Sequence, residues 1–382
     1  MSVKDTTYIA YTLLLAVVAA VLCTSCSNDD TQSGEEGAQE PVLTIYVYAP
    51  EHPVTTRGDV GAVDGTAAEN RVQSLHIWVF EHESGALVGY MNPATGVLNN
   101  QLQDTYLMNV SADFAKNHPN VDVYVLANQG NNSVWADSQR SDLDAAVLNH
   151  ADDDAYGLKT LTTRVPVSGL PMSGVLRDQP IYGDYPVLRI GVEPSMATVQ
   201  LERMVSKLRF MFSRSESSPS VIINSVTLNS GMIPMEEYLF LADDGKRYHV
   251  GSDYESAASL AANVGETASC SSPQLYIYTE GMEAPYYDAL VENGVATSEL
   301  TLAGPYYLRE SDRQLKGTIY YFVDGSPRQA TFQMAQAGDF SRNHTWTVYG
   351  YFSSNEEGDM VLNNLFLKDW SEVNRYHELF NW

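Results

Sequence analysis

Two short stretches hold the residues best placed for covalent chemistry. Cys26 lies within Cys23-Thr24-Ser25-Cys26-Ser27-Asn28-Asp29-Asp30, directly after an apolar run from Tyr8 to Leu22 that Lys4 precedes. A short positive start, an apolar core too short to span a bilayer comfortably, and small residues before a cysteine describe a bacterial export signal. The cysteine fits the position where such a signal is cut and the new N-terminal thiol is acylated. Thr24 and Ser25 suit the two sites before Cys26, whereas Val21 and Leu22 make Cys23 the poorer candidate. An uncleaved single-span anchor is the alternative, and the length of the run argues against it. The second stretch is Thr55-Thr56-Arg57-Gly58-Asp59, in a polar, glycine-containing loop from His52 to Asn70. Exposed loops are where proteolytic nicking concentrates, so the Arg57–Gly58 bond is open to a trypsin-like protease.

The other catalytic patterns are missing. The chain has no Gly-Xaa-Ser-Xaa-Gly elbow, no phosphate-binding glycine loop, no His-Glu-Xaa-Xaa-His and no paired-cysteine metal site. His76, His82 and His118 lack ligand spacing, so no metal and no cofactor is expected. Asp152-Asp153-Asp154 lacks the alternating ligands and turn glycine of a calcium loop and reads as a solvated helix end. Trp135, Tyr306 and Tyr307 could stack on sugars, but at strand spacing they read first as core or sheet-face residues.

Composition sets further bounds. With 48 acidic against 22 basic residues, the formal charge is −26, a surface that repels phosphate backbones and excludes nucleic acid as a partner. Residues 1–25 read as the leader and 26–40 as a polar tether, whose Ser, Asn, Asp, Gln, Gly and Glu cannot bury apolar area. Asn28-Asp29-Asp30 directly after the acylated position is similar to a surface-export signal. Of three cysteines only Cys270 remains in the body, so no intramolecular disulfide forms there, and with no basic neighbours Cys270 reads as inert.

The body must therefore be built from strands, and 24 tyrosines with abundant Val and Thr favour pleated surfaces. Val42 to Ala49 alternates, with Leu43, Ile45, Val47 and Ala49 on one face. Further strands are expected at Ser74–Phe80, Ala86–Tyr90, Val121–Ala127, Lys207–Phe212, Gly317–Val323, Arg328–Met334, His344–Phe352 and Met360–Trp370. Asp244-Gly245, Asn293-Gly294 and Asp324-Gly325 suit the two positive φ values of a type I′ hairpin turn. One helix is expected from Ser141, with Asp144 closing a capping box and Leu143, Ala146, Val147 and His150 on one face. The polar stretch Ser213 to Pro219 divides the body into 41–214 and 215–382, with no sequence repeat between the halves. The fold class is all-β, two sandwich domains in tandem with one or two short helices.

Several segments, in this order, resemble the fimbrillin superfamily, pilus subunits of Bacteroidales. The leader and first strand are followed by the Thr-Arg-Gly loop and by Glu69-Asn70-Arg71-Val72-Gln73-Ser74-Leu75-His76-Ile77-Trp78-Val79-Phe80. Then come Val123-Tyr124-Val125-Leu126-Ala127-Asn128, Gly169-Leu170-Pro171-Met172-Ser173-Gly174, Arg203-Met204-Val205-Ser206-Lys207, Arg342-Asn343-His344-Thr345-Trp346 and Lys368-Asp369-Trp370. Ser206 stands where the family usually has alanine, and residues 371–382 have no counterpart. The resemblance implies transthyretin-like sandwiches and a structural, non-enzymatic stalk or tip subunit of a cell-surface fimbria that contributes to adhesion. Its partners would be other fimbrial subunits and a host or bacterial receptor, and Cys26 would carry its lipid at the outer membrane. An Arg-specific protease would cut at Arg57, the strand bearing Leu43, Ile45, Val47 and Ala49 would leave, and a neighbour's strand would fill the slot. The donor would come from Val361 to Trp382. A surface glycan-binding lipoprotein, or the uncleaved anchor subunit, is the alternative.

Overall fold

The computed structural model describes residues 40–48, 68–93, 103–117, 119–129, 136–149, 165–166, 168–183, 187–190, 199–214, 219–240, 253–255, 261–270, 301–333, 340–343, 345–354, 360–369 and 379–380. The first elements are β1 (Val42–Tyr48), β2 (Leu75–Glu81), β3 (Leu87–Met91), β4 (Gln103–Asn109), α1 (Ala112–Asn117), β5 (Val121–Ala127), α2 (Arg140–Asp144) and β6 (Val147–Asn149). They are followed by β7 (Met172–Gln179), β8 (Ile181–Tyr182), β9 (Val187–Ile190), β10 (Val199–Gln200), β11 (Glu202–Arg203), β12 (Ser206–Arg214), β13 (Val221–Leu228) and β14 (Glu236–Tyr238). The last are β15 (Ala261–Thr267), β16 (Ser269–Cys270), β17 (Thr301–Leu308), β18 (Lys316–Val323), β19 (Ser326–Gln333), β20 (Thr345–Ser354), β21 (Met360–Asp369) and β22 (Leu379–Phe380). The chain is all-β with two short helices among the described residues.

Four larger sheets form two pairs. In the first pair, β4-β1-β9-β8, with β10 beside β1, faces β11-β7-β5-β2-β3 across a core of Leu43, Ile45, Val47, Ile77, Val79, Val123, Val125, Leu188 and their neighbours. In the second pair, a sheet built on β17, β12, β20, β21 and β22 faces β15-β13-β18-β19 across Phe210, Phe212, Ile223, Ile319, Phe332, Trp346 and Phe352. The halves share no sequence repeat, yet their connectivity repeats. The order β7-β5-β2-β3 recurs as β19-β18-β13-β15. In the facing sheets, β1 lies between antiparallel β4 and parallel β9, as β12 lies between antiparallel β17 and parallel β20. Periodicity finds strands; it carries no signal of which strands pair, so the repeat is visible only in the fold.

Most expected strands form within a residue or two of their expected ends. The Asp324-Gly325 turn joins β18 to β19 with φ of 47° and 79°, the two positive values such a turn requires. Asp244-Gly245, Asn293-Gly294, Asp152 to Asp154 and Trp135 lie outside the described residues. The helix expected from Ser141 differs in extent. It spans Arg140–Asp144, and the Asp142 carboxylate accepts the Gln139 N–H at 2.8 Å, so the capping pair sits two residues earlier than expected. Val147 then enters β6, which pairs with β14 (Val147 opposite Tyr238). That strand pairing and the cluster around Phe240 outweigh the helical period. Lys207–Phe212, placed at the end of the first domain by the sequence, forms the centre of β12 and pairs with β17 and β20 of the second sheet pair.

Between the sheet pairs lies a third apolar cluster: Trp78, Phe80, Tyr124 and Leu126 meet Leu239, Phe240 and Tyr307. The segment carrying Leu239 is fixed by Arg342, which donates to the Tyr238 and Leu239 carbonyls at 2.7 and 3.3 Å. Beneath it Glu237, fully buried, accepts the Glu310 N–H at 3.3 Å and lies 3.8 Å from Arg342. Burial pushes the Glu237 carboxyl up to about 8; Glu310 adds to the shift and Arg342 opposes it. Ionisation therefore favours the unfolded chain. The contribution of this carboxyl to stability is fully present below pH 4.5, declines as pH rises from there, and levels off above about pH 8. Denaturant titrations at pH 5, 6.5 and 8 will show this slope, and Glu237→Gln will flatten it.

Candidate functional site

The sequence pattern of β1 makes it a strand with one wholly apolar face, and the fold uses that face fully. Leu43, Ile45 and Val47 are 0–1% exposed and lie in the first core with Met108, Leu188, Ile190 and Val199. Burying three such side chains stabilises by roughly 5–9 kcal/mol, comparable with the whole stability of a domain. The backbone is engaged on both edges. Val42 to Tyr48 pairs antiparallel with Asn109 to Gln103 on one side; on the other, Val42–Thr44 pairs with Val187–Arg189 and Val47–Tyr48 with Val199–Gln200. Removing β1 would expose two strand edges and an apolar floor at once.

One glycine shapes the wall of this slot. A Cβ on Gly174 of β7 would stand 2.5 Å from the Gln200 carbonyl oxygen and 2.7 Å from Val199 Cγ1, so only glycine lets β10 run beside β1 at this depth. Gly169, at φ +85°, turns the chain against the Asn128 side chain, whose amide donates to the Arg71 and Leu170 carbonyls at 2.8 and 2.6 Å. Asn128 Oδ1 in turn accepts the Gln73 N–H at 2.8 Å.

The segments singled out in the sequence converge at a polar junction. Glu69 is fully buried; its carboxylate pairs with Lys207 Nζ at 2.8 Å and accepts the Tyr307 hydroxyl at 2.5 Å. Arg203 donates from Nε to the Glu69 carbonyl at 3.3 Å, from Nη2 to Asn70 Oδ1, and from Nη1 to Asn343 Oδ1 at 2.9 Å. Burial lowers the Lys207 pKa, opposed by Glu69, and brings Arg203 down to about 10, while burial and Glu69 raise that of Tyr307. The Ser206 hydroxyl, at the position where alanine is usual, donates to the Ser341 carbonyl. Sequence reasoning missed this junction. Its only signal was two cations four residues apart, Arg203 and Lys207, flanking apolar residues.

A second polar cluster lies at one end of β5. Asp122, 1% exposed, contacts His82 Nδ1 at 2.7 Å, pairs with Arg140 at 2.7 Å and accepts the Asp178 N–H at 2.9 Å. The hydrogen bond to Asp122 is the main cause of a raised His82 pKa. Arg177 and the Tyr124 hydroxyl both donate to Asp144 at 2.7 Å, and these groups line an open cleft of about 640 Å³. Each arginine here has a carboxylate partner, so the cluster braces α2 against the sheet.

Of the sequence-derived site residues, Leu43, Ile45 and Val47 come together in the core. Ala49, Cys26, Arg57 and Gly58 lie outside the described residues. Tyr306 and Tyr307 are 2% exposed, and so belong to the interior and not to a sugar-facing surface. The C-terminal segment forms β21, which pairs along its length with β20 and at Asn364 and Leu365 with β22. Among the described residues no group of three or more His, Cys, Asp or Glu is placed to hold a metal, and no helix is long and apolar enough to cross a membrane.

Residues 42–185 match the profile of the family described as "Major fimbrial subunit protein (FimA)". The match spans 144 of the 382 residues, and over this stretch the chain is similar to that family. The matched segment begins at the first residue of β1. A protein from Parabacteroides distasonis described as a candidate cell adhesion protein shares 13% identity, with 87% of this chain and 98% of that one covered, at a TM-score of 0.53. A fimbrial assembly protein from the same species (12%, covering 90% and 100%) and the tip fimbrial protein Mfa3 from Porphyromonas gingivalis (11%, covering 90% and 100%) give TM-scores of 0.45 and 0.42. Only the first of these three exceeds 0.5, and at its identity it shows a common fold. No curated protein matches the chain.

If the three inward residues of β1 hold the first sheet pair together, Ile45→Ala will destabilise the protein by about 2–5 kcal/mol. Urea unfolding followed by tryptophan fluorescence measures this, with Thr105→Ala on the exposed face of β4 changing stability by less than about 0.5 kcal/mol.

Proposed function

We propose that this chain is a stalk or tip subunit of a cell-surface fimbria, exported as a lipoprotein acylated at Cys26, cut at Arg57, and polymerised by exchange of its first strand. The supporting observation is the position of β1. It is central in its sheet, buries Leu43, Ile45 and Val47, and is separated from β2 by the segment that holds Arg57–Gly58. A strand that occupies a mid-sheet slot near the chain's start can be exchanged for another of like pattern without altering the connectivity of the remaining strands. Main-chain hydrogen bonds would hold the incoming strand, and alternate apolar side chains would fill the pockets of Leu43, Ile45 and Val47. A replacement must run antiparallel to β4, as β1 does.

The C-terminal ribbon β21–β22 is the proposed donor. Its longer strand has ten residues against seven for β1, and its sequence holds the apolar groups Val361-Leu362 and Leu365-Phe366-Leu367. On this reading the two sheet pairs are tandem domains that meet near Leu201–Val205. The fibre, with a receptor of its own, provides adhesion at the bacterial surface, and the acyl group on Cys26 tethers the precursor to the outer membrane.

Trypsin treatment of the purified precursor is expected to cut at Arg57 and yield ladders of stable oligomers on mild-detergent gels. Arg57→Ala should leave the precursor monomeric under the same treatment. Equal ladders from both proteins would overturn the cleavage step.

A further inference from the structure

The two ends of the segment between β1 and β2 are held by different partners. Upstream, β1 is bonded to β4, β9 and β10. Downstream, Glu69 is bonded to Lys207 of β12, Tyr307 of β17 and Arg203 of β11, and Arg203 reaches on to Asn343. The downstream end also has apolar contacts, but these include the residues that would leave. Val72 and Leu75 share their core with Leu43, Ile45 and Val47. Departure of β1 would remove three side chains from that core, whereas the polar junction contains no residue of β1 and would stay whole.

We infer that Glu69 is a positioning residue for strand exchange: it pins the chain downstream of the cut to the second sheet pair, so that β2 keeps its register while the slot is open. This rests on the exchange reading above. Three features favour it. Glu69 has no exposure, so its pairing is not screened by solvent. Its partners come from β11, β12 and β17, none of which pairs with β1. Its sequence neighbours Arg71 and Gln73 are clamped by Asn128 at the end of β5, so the polar anchoring continues into β2. A carboxylate placed there only to stabilise the fold would matter equally before and after cutting; a positioning carboxylate matters more once β1 has gone.

Hydrogen exchange read by mass spectrometry tests the inference on the full-length precursor, before and after trypsin cutting, in peptides covering residues 42–48 and 68–81. The wild type is expected to lose protection over 42–48 on cutting and to keep it within twofold over 68–81. In the charge-free double variant Glu69→Gln with Lys207→Met, exchange over 68–81 is expected to rise no more than threefold in the intact precursor, at least tenfold after cutting, with a matching fall in ladder yield. Should the double variant fail to fold, Tyr307→Phe, which removes one hydroxyl donor to Glu69, is expected to show the same before-and-after contrast at smaller size. Equal rises before and after cutting, or no rise at all, overturn the positioning role. Retained protection over 42–48 in cut wild type overturns the exchange reading itself, and with it this role, and is told apart by the peptide in which it is seen.

Discussion

The structure depends on one arrangement: a seven-residue strand at the start of the body is a middle strand of its sheet. A sandwich usually tolerates loss of an edge strand, because one row of backbone groups returns to water and little core opens. Loss of a middle strand opens two rows and removes the apolar side chains that separate the facing sheets. The slot therefore demands an occupant. On the proposed exchange, covalent connection and concentration would decide which chain supplies it, since main-chain bonding selects strand direction and the pockets select alternation. Gly174 enforces the depth of the slot by leaving room for β10 where any side chain would strike the Gln200 carbonyl.

The second sheet pair offers an internal comparison. β12 occupies the place in its sheet that β1 occupies in the other, yet β12 follows directly from β11 and is covalently continuous with the first half. Its Lys207 is tied to Glu69, and the hydroxyl of Ser206 to Ser341. The same topology thus gives one first strand that is built into the middle of the chain and one near its start. Burial of full charges at the junction costs desolvation energy, and hydrophobic replacements would often be no worse for stability. The junction binds four distant segments, 69–70, 203–207, 307 and 343, into one fixed geometry that apolar packing alone would specify less sharply.

Much of this was legible in the chain. The alternation of Val42 to Ala49 marks the first strand and its buried face, and Asp324-Gly325 marks the hairpin turn between β18 and β19 because only certain residues accept two positive φ angles. The motif order points to the family. What could not be read was every feature that depends on pairing across long separations. Nothing in Val42-Leu43-Thr44-Ile45 says that the strand is central and parallel to β9. Glu69 looks like a solvated loop carboxylate until Lys207, distant in sequence, is placed beside it. The helical period overextends α2, because Leu143, Ala146, Val147 and His150 satisfy it while β14, which captures Val147 and Leu148 as a strand, lies far along the chain. The division at 214/215 follows a polar stretch, yet β12, just before it, is paired wholly with strands that come after.

The central claim is that the slot of β1 is a binding site for any strand of its direction and pattern. The most direct measurement is calorimetric titration of the trypsin-cut body, freed of its first strand, with a synthetic peptide spanning residues 41–50. The account predicts saturable one-to-one binding that raises the thermal midpoint of the body and is abolished when Ile45 in the peptide is replaced by Asp. A body that is fully stable without its first strand and shows no heat with the peptide would contradict it.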